Sequence, residues 1–115
     1  MTKTIRNLIA AVLLIGASHG AMAGFESGNR ILTKCESESY YDQGYCLGHL
    51  QAVSDTYNVS AAWHGFETDN CMPNGVTAGQ LLRVWIKWAN ENPVKLHMDA
   101  SSLVLLAYKE YFPCD

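Results

Sequence analysis

Two thiols set beside prolines, Cys71-Met72-Pro73 and Phe112-Pro113-Cys114, bracket a pair of strongly patterned segments. Consecutive helices joined by a short connection pack antiparallel, which brings the start of the first close to the end of the second. The spacing therefore predicts a helical hairpin with Cys71 near Cys114. Two further cysteines, Cys35 and Cys46, lie eleven positions apart and complete an even set of four. No C-x-x-C pair exists, so the usual spacing of a structural zinc site is missing. An even count in a short exported chain reads as a disulfide framework instead. Four cysteines allow three connectivities, and the sequence leaves all three open. Cys35–Cys46 with Cys71–Cys114 is the pairing that sets each bridge across the ends of adjacent helices. Closing loops of those lengths stabilises by about 3 and about 4 kcal/mol in the chain-entropy model.

Export is read from the N-terminus. Lys3 and Arg6 form a positive region, Leu8 to Ala17 an apolar run, and Ala21-Met22-Ala23 a small-x-small cleavage site. The run is shorter than the roughly 20 apolar residues that span a bilayer. Residues 1–23 are expected to be a signal peptide cleaved after Ala23, leaving residues 24–115 as one small domain in an oxidising compartment such as the bacterial periplasm. Loss of Lys3 and Arg6 leaves six Lys and Arg against eleven Asp and Glu, a net charge of −5. That acidity argues against nucleic acid and anionic membrane as partners.

The patterning predicts helices over about Ser27–Glu36, Tyr41–Ala62, the segment after Thr77, and Met98–Tyr111. In the second, Cys46, Leu50, Val53 and Tyr57 recur at helical spacing. Gly44 and Gly48 sit one turn apart on it, which suggests close approach of another helix. Asn74-Gly75 marks a turn, and Thr77-x-x-Gln80 is a capping box that opens the third helix. Asn92-Pro93 stops that helix, because proline disfavours helical backbone in the residue before it. Leu81, Trp85 and Trp88 line one face of the third helix as core or subunit interface. Strand alternation is absent. The expectation is an all-α single small domain of four helices, with room for a short fifth, stapled by disulfides.

Catalytic patterns are scarce. His49, His64 and His97 form no i, i+4 pair and no H-E-x-x-H, so no metal site is expected. No nucleophile elbow, phosphate loop or cofactor fingerprint occurs, and thiols that pair off supply no thiolate nucleophile. No cofactor and no enzymatic activity are expected. The longest break runs Trp63, His64, Gly65, Phe66, Glu67, Thr68, Asp69, Asn70. Its two bulky aromatics admit two readings: a loop that folds back on the core, or a tip that anchors a protein partner.

Phe25-x-x-Gly28-Asn29-x-x-Leu32-x-x-Cys35, Gly44-Tyr45-Cys46-x-Gly48, Cys71-x-Pro73-x-x-Val76-Thr77-x-x-Gln80, Asn92-Pro93, His97, Ala100 and Phe112-Pro113-Cys114 follow one another along nearly the whole mature chain. In order and spacing this set resembles the Rap/Tai immunity proteins of type VI secretion. The resemblance implies a periplasmic, all-helical homodimer that binds a cognate cell-wall amidase effector of the NlpC/P60-like class and blocks its substrate cleft. It places Trp63–Asn70 as the effector-facing protrusion. A different role for a small, exported, disulfide-stapled helical protein is that of a periplasmic acid-stress chaperone, activated when acid loosens a dimer. Charged residues are 17% of the chain, without the dense lysine/acid patterning such a trigger needs.

Overall fold

Three of the four helices begin where a short polar side chain takes up a free amide of the first turn. In the computed structural model, which describes residues 26–115, Ser27 caps α1 (Gly28–Glu36) by accepting from the Arg30 amide. Thr77 caps α3 (Ala78–Glu91) through the full capping box with Gln80. Asp99 caps α4 (Ala100–Tyr111) by accepting from the Ser102 amide at 2.9 Å. The longest helix, α2 (Tyr40–His64), starts at Ser39 without a side-chain cap and ends at Gly65, whose φ of 69° is the left-handed stop that glycine adopts without strain. A single 3₁₀ turn, Pro93–Lys95, follows α3 and is the short fifth element.

The architecture is all-α, as expected. Outside the helices the described residues show two isolated bridges, Ser27 with Asp99 and Asn70 with Pro113. Every helix touches the other three. The core they enclose contains Ile31, Leu50, Trp85, Trp88, Leu103, Val104 and Tyr108, all fully buried. Burial of each such apolar side chain stabilises by roughly 1.5–3 kcal/mol. Trp85 and Trp88 stack at 6.0 Å, and Trp88 donates its Nε1 hydrogen to Glu110 at 2.6 Å. Tyr108 donates to the Leu50 carbonyl at 3.1 Å, tying α4 to α2. The two tryptophans are therefore core residues.

Both expected disulfides are present. Cys35–Cys46 joins the end of α1 to the first half of α2, with Cα atoms 5.1 Å apart. Cys71–Cys114 joins the segment before α3 to the chain end after α4, with Cα atoms 4.9 Å apart. The first is buried, and the second lies at the surface. Gly28 lets α1 approach α4: a Cβ there would stand 2.7 Å from Leu103 Cδ1 and 3.1 Å from the Leu96 carbonyl.

Two expectations need correction. Trp63 and His64 are the last two residues of α2 and not part of the loop, because the helix ends only where Gly65 supplies the left-handed turn. Gly44 and Gly48 receive no neighbouring helix of this chain. A Cβ at either would meet nothing within 4 Å, since both lie on the exposed side of α2. The leader expected over residues 1–23, its cleavage after Ala23, and Phe25 of the family pattern lie outside the described residues.

Candidate functional site

The connection from α2 to the Cys71–Cys114 bridge, Gly65–Asn70, is a short protrusion held at both ends. At its start the Gly65 and Phe66 amides both donate to the Ala61 carbonyl, at 2.8 and 3.3 Å. These bonds satisfy the helix end and set the direction in which the chain leaves. At its finish Asn70 is buried and bridges to Pro113. The Cys71 amide donates to the Phe112 carbonyl at 2.7 Å. The disulfide then locks the same strip covalently.

Between these ends the loop folds back on α2 and α4. The Phe66 ring lies 5.8 Å from the Tyr57 ring, tilted at 46°, within the range of favourable aromatic pairs. The Tyr57 hydroxyl donates to Asp69 Oδ1 at 3.0 Å and accepts from the Asp69 amide at 3.4 Å. Lys109 on α4 reaches the other oxygen, Oδ2, at 3.2 Å. Burial pushes the Asp69 carboxyl up, but the hydrogen bonds from Lys109 and Tyr57 outweigh it, and the group titrates below the ordinary carboxylate value. The Thr68 hydroxyl donates to the Asn70 carbonyl at 3.2 Å. The loop is thus a set conformation supported from two helices.

What it presents outward is mixed. Phe66 stays 42% exposed despite its contact with Tyr57, and Trp63, one turn back on α2, is 81% exposed. Glu67 and His64 are exposed beside them. The folded-back reading therefore holds for Phe66 and Asp69, while part of the aromatic surface stays exposed. Residues 63–70 that the sequence grouped together stay together in space, divided between a helix end and the loop. Tyr57 and Lys109 were missed. They lie 12 and 40 positions from Asp69, and no local pattern links them.

All four cysteines are in disulfides, and among the described residues no group of three or more His, Cys, Asp and Glu side chains is arranged to hold a metal ion. No helix among them is long and apolar enough to cross a membrane. Fold and site together define a disulfide-stapled helical domain that displays a rigidly supported loop. The model of the Rap1a immunity proteins matches residues 27–114. The chain belongs to this family of immunity proteins, as the resemblance in its sequence implied. No curated protein and no solved structure matches it.

Proposed function

We propose that this chain is a periplasmic immunity protein of type VI secretion, and that it neutralises a cognate peptidoglycan amidase of the NlpC/P60-like class by occluding its substrate cleft. The observation that carries the reading is the family match over residues 27–114. The supported protrusion at Gly65–Asn70, with Trp63 and His64 leading into it, is the element that meets the effector. The protein works as a homodimer, catalyses nothing, and reaches the periplasm through its leader at residues 1–23.

A loop held in one conformation before binding loses less entropy on complex formation. An aromatic side chain near the centre of an interface is the usual anchor. On that basis Phe66→Ala is expected to weaken the effector complex by about 2 kcal/mol. The decisive experiment is co-expression with a cysteine amidase encoded beside this gene, both directed to the periplasm. Protection from lysis and co-purification are expected. Equal killing with and without this chain would sink the proposal.

A further inference from the structure

Along α2 one face is largely uncovered by the other described residues, although Tyr45 on it donates to Glu26 at 2.6 Å and carries Lys34 over its ring at 4.6 Å. The residues of this face follow a fixed rhythm. Tyr41, Tyr45, Gly48, Ala52, Thr56, Val59 and Trp63 are spaced 4-3-4-4-3-4, and all seven are exposed. At 3.6 residues per turn they fall within roughly 80° of arc. None carries a charge. The two acids of this helix lie to either side: Asp42 pairs with Lys34 at 3.3 Å, and Asp55 flanks the stripe. An uncharged seam at this spacing, with Tyr41 76% and Trp63 81% exposed, is what one helix offers to another.

The spacing is also its own mirror. Read from either end it is unchanged, with Ala52 at the centre. Laid antiparallel on a second copy about a two-fold axis at Ala52, Gly48 meets Thr56, Tyr45 meets Val59, and Tyr41 meets Trp63. Small residues then lie near the crossing and large ones toward the ends, where the helices diverge. A Cβ at Gly48 would meet nothing within 4 Å in this chain, so the backbone there is open to close approach. An open groove of about 400 Å³ runs beside the seam, between His49 and Ser60 of α2 and Leu105 of α4. In this register the partner's Tyr45 arrives at its Ser60 end. The chain is acidic overall, at −3, so two copies meet with least repulsion through a face that is uncharged.

We infer that α2 is the isologous interface between two copies of this chain, paired antiparallel along the Tyr41–Trp63 seam. This rests on the homodimer of the proposed function and names the surface that makes it. It also divides the site: Trp63 belongs to the seam, and Gly65–Asn70 is left to the effector. The seam is about 33 Å long, so the two loops stand at its opposite ends and each can take its own effector molecule.

Sedimentation equilibrium on the mature protein tests the assignment. The wild type is expected to be a dimer. Ala52→Arg puts two cations at the two-fold axis and is expected to raise the dimer dissociation constant at least about tenfold. Gln51→Arg adds the same charge off the seam and is expected to leave it unchanged. Because Ala52 is exposed, the circular dichroism of both variants should match the wild type. In a second arm, Ala52→Cys is expected to form an intermolecular disulfide on mild oxidation, and Gln51→Cys is not. A monomeric wild type, an unaffected Ala52→Arg dimer, equal dissociation of both arginine variants, or no preference of Ala52→Cys for cross-linking overturns the inference. Protection from the amidase is scored separately. A wild type that dimerises through this seam and does not protect overturns the function and leaves the interface standing.

Discussion

At the scale of single residues, the support under the loop rests on one carboxylate. Asp69 accepts from Tyr57 and Lys109, and both partners are partly exposed, so the net worth of the clamp to global stability is small, about 1 kcal/mol or less. Its effect on the loop itself should be larger. Lys109→Ala and Tyr57→Phe are each expected to speed amide exchange over residues 66–70 while the rest of the protein keeps its protection. Exchange unchanged in both would mean the disulfide alone holds the loop. His49 supplies a pH effect. Burial lowers its pKa, against the opposing pull of Glu26 and Asp99, and its buried Nε2 has no hydrogen-bond partner. The folded state therefore resists a proton that the unfolded chain accepts near pH 6.5. Stability is complete above that value and falls as the pH drops below it. His49→Gln should flatten the dependence of the melting temperature between about pH 8 and about pH 5; an unchanged slope would assign it to other groups.

At the scale of elements, much of the fold is local and so was legible. The capping box at Thr77, the Asn92-Pro93 stop and the turn at Asn74-Gly75 are each decided by a few adjacent residues. All three stand where the pattern places them, with Gly75 at φ 89°. Thr77→Ala is expected to cost about 1 kcal/mol, read from urea unfolding. The end of α2 was misjudged because bulky aromatics beside a glycine look like loop residues. Only the carbonyl of Ala61, accepting from Gly65 and Phe66, shows how far the helix runs. The role of Gly28 is likewise non-local. In sequence it is the first residue of a helix; in space it is the contact between α1 and α4. Gly28→Ala must push back Leu103 and the Leu96 backbone, and is expected to cost about 1–3 kcal/mol. A neutral result in the same unfolding series would show that α1 shifts freely over α4.

At the scale of the whole molecule, two covalent links do different work. Cys35–Cys46 closes 11 positions inside the core. Cys71–Cys114 closes 43 at the surface and ties the base of the loop to the end of α4. Replacing Cys71 and Cys114 together by serine is expected to lower stability by about 4 kcal/mol in the chain-entropy model. It should also loosen residues 65–70 well before global unfolding. A double variant with unchanged exchange in the loop would place the support entirely in Asp69 and its partners.

The amino-acid sequence by itself determined that the chain is four helices, the capping box that opens the third, and the family. These follow from periodicity, from turn chemistry within a few residues, and from motifs at set spacing. It also pointed to the pairing of the cysteines, because adjacent helices leave few ends close enough to bridge. Only the tertiary structure decided that Trp85 and Trp88 are core and that Asp69 is clamped by residues from two helices. It also decided that one face of α2, without charged residues of its own, is left largely exposed. The physical reason is that burial depends on what packs opposite a residue. On a helix as uniformly mixed as α2, the chain cannot say which side its own fold will cover.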